Sequence, residues 1–171
     1  GNLRDGTAFF ASACLIAIGG GMALLANTER VRMIAEDLTL RTPTPLGLEI
    51  KILAVLVLIT SAFLRFVWSN RVFGYCAVML GTIPNAAEDP RLETRQRQAA
   101  ELNVSAAQAF NGGLRSIYFA LAGLAWLLGP EALIGATLVA LVVIVRREYA
   151  SRSRAILLER LPDDCRDPAG H

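Results

Sequence analysis

Residues 46–81 read LGLEIKILAVLVLITSAFLRFVWSNRVFGYCAVMLG, and this stretch decides the fold. It is almost wholly apolar from Ile52 to Leu64, and no proline occurs between Pro45 and Pro84. About 20 mostly apolar residues suffice to cross a bilayer as a helix. The part beyond Arg65 is too polar to cross again but remains compatible with a helix. We therefore predict one long helix that crosses a membrane over residues 48–68 and continues outside it to about Leu80.

The composition also indicates a membrane protein. Of the 171 residues, 54% are hydrophobic and 19% are charged, and the charges cluster between long apolar segments. Soluble domains carry about a quarter charged residues, whereas clustered charges between apolar segments are typical of membrane proteins. The net charge of +2 is too small to indicate a nucleic-acid partner.

Four apolar segments predict a polytopic, all-α membrane bundle with four transmembrane helices. Gly129-Pro130 marks a tight turn between the third and the fourth segment. The predicted spans cover residues 7–26, 48–68, 114–128 and 131–145.

The segments between the spans have distinct characters. Residues 27–40 carry apolar side chains at helical spacing and predict one interfacial amphipathic helix. Residues 69–112 predict a helical hairpin that turns between Pro84 and Pro90, and Gly112-Gly113 permits a kink at its end. We assign residues 1–154 to a single membrane domain, and residues 155–171 to a tail that is partly disordered.

The positions of the basic residues predict the orientation. If the first span starts in the cytoplasm, 13 of the 17 basic residues fall inside, and the four outside are Arg30, Arg32, Arg41 and Lys51. The positive-inside rule therefore predicts a cytoplasmic hairpin and a cytoplasmic C-terminus in a bacterial cytoplasmic (inner) membrane.

Several short motifs resemble one known family. They are NL at 2–3, FFAS at 9–12, LEIK at 48–51, Trp68 with Arg71 and YC at 75–76, FN at 110–111, GLR at 113–115, YFAL at 118–121 and RREY at 146–149. Together they resemble the domain of unknown function 599 family over residues 2–154. The resemblance implies an integral bacterial membrane protein related to some plant sequences, and it implies no activity. Family members have one more apolar segment at the N-terminus, and since the chain starts at Gly1 without methionine, we expect a longer protein.

Two charged residues, Glu49 and Lys51, stand at the outer entry of the second span. One interpretation is that both anchor the helix at the interface or pair with Arg41 or Glu131. The other is an outer mouth, where an ion or substrate enters.

A second polar group is expected at the inner ends of the second and third spans, near Arg65. If these helices are antiparallel neighbours, arginines with few nearby acids suit a lipid phosphate or another anion. The alternative is interface anchoring together with a polar clamp between helices. The candidate residues are Arg71, Tyr75, Asn111, Arg115 and Tyr118.

Small residues four apart favour close helix packing. Ala13, Ala17 and Gly21 form such a face on the first span, and Ala132, Ala136 and Ala140 form another on the fourth. Both faces favour contact with a further helix.

The sequence contains few of the residue patterns that are typical of enzymes. The single histidine is the terminal His171, and the sequence has no CxxC motif and no phosphate-binding glycine loop. We therefore expect no catalytic residues, no metal and no cofactor other than a bound phospholipid.

The most favoured function is a self-associating structural protein or an accessory subunit of a membrane complex, with the bilayer and further copies as partners. The alternative is an oligomeric channel or transporter for a small ion or anion. The spans contain almost no charge, so a pore would have to lie between subunits.

Overall fold

The computed structural model describes residues 2–39, 44–81 and 92–149, and these residues form five helices. The hairpin turn predicted at Pro84–Pro90, Arg41 and the predicted tail lie outside the described residues. The helices are α1 (Asn2–Ala26), α2 (Thr28–Thr39), α3 (Pro45–Gly81), α4 (Leu92–Ala125) and α5 (Pro130–Tyr149). The all-α prediction is confirmed for the described part of the chain.

The central element is α3, and the prediction of one long helix is confirmed. Its start is defined by Thr44, whose Oγ1 accepts a hydrogen bond from the backbone N–H of Gly47 at 3.3 Å. Pro45 follows at the first helical position, where its missing N–H costs nothing. With 37 residues the helix is about 55 Å long at 1.5 Å per residue.

The fourth helix differs from the prediction. We expected a helix to about Asn111, a kink at Gly112-Gly113 and a separate third span. Instead α4 is one continuous helix of 34 residues from Leu92 to Ala125. Gly113 serves close packing, because a Cβ at this residue would meet the Phe66 ring at 2.8 Å. Glycine is therefore needed here for the approach of α3, not for a bend.

The bundle is built around α3, which packs against α1 on one side and α4 on the other, while α5 packs on α4. Cys14, Ala62, Phe66 and Leu114 form one buried cluster between α1, α3 and α4. Three phenylalanine rings lie within it, with ring centroids of Phe10 and Phe66 at 5.3 Å and of Phe66 and Phe110 at 5.5 Å. Such aromatic contacts add to the burial of the rings.

The predicted amphipathic helix is present as α2. Its apolar side packs on the bundle through Val31, which contacts the cluster of Leu48, Ile52 and Leu56. On its polar side Arg32 pairs with Glu29 at 3.2 Å and with Glu36 at 3.8 Å. The helix thus closes one end of the α1–α3 pair.

The expected pairing of the second half of α3 with the first half of α4 is present. The Ser69 hydroxyl donates to the Ala106 carbonyl at 2.8 Å, and the Cys76 thiol donates to the Ala99 carbonyl at 3.4 Å. Val72, Phe73 and Ala106 form the buried cluster at this level, with Leu102 packed against it. These contacts fix the antiparallel register of α3 and α4.

Within the part of the chain that the structure describes, two helices, rather than four, are by themselves long and apolar enough to cross a membrane: Arg4–Ala26 and Pro45–Gly81. In α4, the polar residues Gln108, Asn111 and Arg115 precede the apolar end and lower its hydropathy. In α5, any stretch of 18 residues, about the length needed to cross a membrane, contains three charged residues: Arg146, Arg147 and a glutamate. The predicted spans 114–128 and 131–145 are therefore not apolar enough to cross a membrane on their own.

The apolar stretches of α1 and α3 are largely exposed, unlike the core helix of a soluble protein. Of the 18-residue apolar stretch in each helix, only 6% is buried within the protein in α1 and 28% in α3. Large apolar side chains such as Ile16, Val57 and Leu138 are exposed instead. A protein surface of this kind is typical of helices that face lipid.

Candidate functional site

A small hollow between α4 and α5 gathers most of the polar residues predicted at the inner end. Its volume is about 180 Å³. The lining residues are Asn111, Leu114, Arg115 and Tyr118 of α4 and Ile144 and Arg147 of α5. Three of the five predicted candidates, Asn111, Arg115 and Tyr118, are thus brought together.

The hollow contains two arginines, a phenol and an amide. Arg147 donates a hydrogen bond through Nη1 to the Tyr118 hydroxyl at 3.2 Å. Tyr118 is half-buried, whereas both arginines are exposed. None of the six lining side chains is acidic. This is the set of donors that commonly binds an oxyanion.

The structure does not bring Arg71 and Tyr75 to this hollow. The Ser69–Ala106 and Cys76–Ala99 hydrogen bonds place both residues beside the first half of α4, farther along than Asn111. Both side chains are exposed. The expected meeting with Asn111 and Arg115 therefore does not occur, because the register brings Phe66, not Arg71, to the level of Phe110.

Arg147 also lines the hollow. In the sequence it belongs to the RREY motif at 146–149, and it was not among the five candidates expected at the inner end. The Gly129-Pro130 turn in the sequence could have predicted this position. Because α5 runs antiparallel to α4 after Gly129, where φ is +135°, its C-terminal arginines return to the level of Arg115 and Tyr118. The sequence alone did not identify which of Arg146 and Arg147 turns toward α4.

At the outer end, Lys51 contacts the end of α4. Its Nζ donates to the Trp126 carbonyl at 3.1 Å and lies 5.4 Å from the centroid of the Trp126 ring. A cation at the carbonyl end of a helix interacts favourably with the helix dipole. The contact is of the anchoring kind, and Trp126 is the partner of Lys51. Glu49, two residues earlier on α3, is half-buried.

The small-residue face of α1 divides into two parts. Gly21 faces α3, since a Cβ there would meet the Leu56 side chain at 2.5 Å. Ala13 and Ala17 are exposed and line a shallow apolar recess of about 220 Å³. On α5, Ala140 is buried and Ala132 and Ala136 are half-buried. Gly21 therefore serves packing within the chain.

The outward side of α3 carries a continuous line of exposed residues at spacings of three and four. We call it the outer stripe, and it consists of Leu46, Ile50, Leu53, Val57, Thr60, Leu64, Trp68, Arg71, Tyr75 and Val78. A groove of about 760 Å³ follows its middle part, with Ile18 and Met22 of α1 on one side and Ala109 of α4 on the other. Residues at this spacing share one face of a helix.

Comparison with known proteins identifies the family. No curated protein and no solved structure matches the chain. A family model described as "Protein of unknown function, DUF599" matches residues 1–153. Because the match covers all five helices, the chain belongs to the DUF599 family, the domain of unknown function 599 family that its motifs resemble.

Proposed function

We propose that this protein is an integral protein of the bacterial cytoplasmic membrane that self-associates through the outer stripe of α3 and serves as a structural or accessory subunit of a membrane complex. The observation that carries the proposal is the length of the stripe. From Leu46 to Val78 it runs for roughly 48 Å along the helix, whereas the hydrocarbon core of a bilayer is about 30 Å thick.

Four membrane-crossing helices are supported by the packing of α4 and α5 rather than by their hydropathy. If α3 crosses the bilayer, Phe66 and Lys51 lie toward opposite ends of its crossing segment. Phe110 contacts Phe66 and Trp126 contacts Lys51, so residues 110–126 share the depth of α3. Arg147 reaches Tyr118, which brings α5 to the same depth.

The orientation rests on the basic residues. Arg65 and Arg71 in the second half of α3 and the arginines at the end of α5 belong to the 13 of the 17 basic residues that the sequence pattern assigns to one side. The positive-inside rule makes this side cytoplasmic, together with the hairpin of α3 and α4. Lys51 and α2, with Arg30 and Arg32, are then on the outer side.

Lipid can cover only the part of the stripe that lies within the bilayer. Under the proposed orientation Tyr75 and Val78 project into the cytoplasm, and they are 54% and 68% exposed. Apolar side chains outside a membrane, in line with a longer apolar face, are typical of a protein contact. A second copy presents the same stripe at the same depth, so it covers both parts at once.

The symmetry of such a pair is restricted by the membrane. Two copies inserted in the same direction are related by a two-fold axis along the membrane normal. Equal residues of the two α3 helices then meet at the axis. The groove beside the stripe provides a concave surface between α1 and α4, against which the partner helix can pack.

Transport of a small ion or anion is the alternative function. Within the described ranges the buried polar side chains are Thr7 and Ser69, and both are hydrogen-bonded. A polar path would therefore have to run between subunits. If the protein is a channel, reconstituted liposomes should show a flux that Glu49→Ala and Arg115→Ala abolish.

The self-association is tested by cysteine cross-linking in native membranes. Cys165 is replaced by serine, while Cys14 and Cys76 are buried and can stay. We expect Val78→Cys to form a disulfide-linked dimer under mild oxidation, because a disulfide requires Cα atoms within about 7 Å. The native mass of the gently extracted complex should then be a multiple of the chain mass.

Ala77→Cys is the matched control. Ala77 is also exposed but points about 100° away from Val78 around the helix. Equal cross-linking at both positions would indicate random collision and overturn the proposal. A single-chain mass without cross-links would do the same, whereas a mass that includes another protein would identify an accessory subunit and its partner.

A further inference from the structure

The hollow between α4 and α5 presents donors from two helices toward one small space. Arg147 donates one of its N–H groups to the Tyr118 oxygen at 3.2 Å. Since a phenol has one hydrogen and two acceptor lone pairs, accepting this bond leaves the Tyr118 O–H free to donate elsewhere. A guanidinium has five N–H groups, so Arg147 keeps further donors.

The other polar residues of the hollow add to this set. Asn111 contributes an amide that can donate, and Arg115 lies one turn along the same helix. Arg115 takes part in a further interaction of its own, so Arg147 and Tyr118 are the main donors of the hollow. Leu114 and Ile144 supply an apolar floor, which weakens the competition from water for the charges above it.

Exposed apolar residues lie close to the hollow in the sequence. Phe119 on α4 and Val143 and Val145 on α5 are exposed close to it in the sequence. A half-buried tyrosine between arginines and exposed aliphatic residues is typical of the headgroup level of a bilayer. The hollow is therefore accessible both to the headgroup of a lipid and to a small ion in the cytoplasm.

We propose that this hollow binds a phosphate group, carried by an anionic phospholipid or present as free phosphate. The tetrahedral array of phosphate oxygens accepts several hydrogen bonds at once, and Arg147, Tyr118 and Asn111 surround a space of about 180 Å³ with donors. The site lies on α4 and α5, away from the outer stripe of α3. Its occupancy is therefore independent of the proposed self-association.

Lipid binding to the purified full-length protein tests the site. Native mass spectrometry in detergent measures retention of phosphatidylglycerol against phosphatidylcholine, which carries the same phosphodiester without net charge. We expect the wild-type protein to prefer phosphatidylglycerol and Arg147→Gln to lose about tenfold in retention, in the range of a lost charge-assisted hydrogen bond. Tyr118→Phe removes only the hydroxyl and should give a smaller loss in the same direction.

Arg146→Gln is the matched control, since it removes the same charge from the neighbouring residue, which does not line the hollow. An equal loss in Arg146→Gln and Arg147→Gln would show charge attraction without a site and overturn the proposal, as would a wild-type protein without any preference. Added inorganic phosphate separates the two sources. Displacement of the lipid by millimolar phosphate identifies free phosphate as a ligand, and undiminished lipid retention identifies the lipid headgroup.

Discussion

The ring of Phe66 in α3 lies directly against the backbone of Gly113 in α4. A Cβ at residue 113 would come within 2.8 to 3.1 Å of three ring atoms. The ring cannot easily withdraw, because it is stacked on Phe10 at 5.3 Å and contacts Phe110 at 5.5 Å. This contact sets the distance between the two longest helices at the level of the aromatic cluster.

Gly113→Ala should therefore destabilise the bundle. The added methyl group overpacks a rigid aromatic site, which typically costs about 1–3 kcal/mol. The measurement is the midpoint of thermal unfolding in detergent, followed by the fluorescence of the two tryptophans. Gly135→Ala is the control, because a Cβ at Gly135 meets nothing within 4 Å. A midpoint that falls equally in both variants would contradict the close contact.

The helix boundaries can be predicted from the sequence, whereas the role of Gly112-Gly113 cannot. Pro45 and Pro84 delimit the long α3, and Gly129-Pro130 marks the turn before α5, so these boundaries could be predicted. Gly112-Gly113 could not be interpreted correctly, because glycine both weakens a helix and permits close packing. Only the position of Phe66 shows that close packing is the reason.

The composition of the inner hollow was predictable only in part. Asn111, Arg115 and Tyr118 lie on one helix at spacings of four and three, so their common face follows from the helix period. Arg71 and Tyr75 were placed with them on the assumption of a different register between α3 and α4. That register depends on packing contacts such as Ser69 with Ala106, which helical periodicity does not specify.

Gly21→Leu should disrupt packing within the chain rather than between chains. A side chain at residue 21 would collide with Leu56 of α3, whose Cδ2 lies 2.5 Å from the ideal Cβ position. We expect a lower unfolding midpoint and poorer yield from membranes. Gly20→Leu adds the same side chain where nothing lies within 4 Å, and it should leave the midpoint unchanged. If Gly21→Leu instead leaves stability intact but splits an oligomer, this face belongs to an interface between copies.

Lys51→Met should weaken the attachment of the α4 end to α3. The variant loses the hydrogen bond to the Trp126 carbonyl and the cation above the Trp126 ring. A hydrogen bond from a charged group contributes about 1.5–3 kcal/mol, and partial exposure of Lys51 argues for the lower end. Hydrogen exchange at residues 123–128, measured by mass spectrometry, should increase.

Glu49→Gln is the control for this variant, because it changes a charge at the same depth without touching Trp126. We expect hydrogen exchange near Trp126 to remain at the wild-type rate. The opposite ranking of the two variants would refute the anchoring role of Lys51. It would favour instead a role for Glu49 at an outer mouth.

Arg71→Leu should strengthen self-association if the outer stripe is the interface. A pair related by a two-fold axis along the membrane normal brings the two Arg71 residues near each other, and like charges in proximity oppose association. Replacing both with leucine removes this repulsion and completes the apolar line between Trp68 and Tyr75. Sedimentation in detergent should show a larger dimer fraction at a fixed ratio of protein to detergent. Arg146→Leu makes the same chemical change on α5, away from the stripe, and should leave the dimer fraction unchanged. If both variants increase it equally, the gain reflects general hydrophobicity and the α3 interface is refuted.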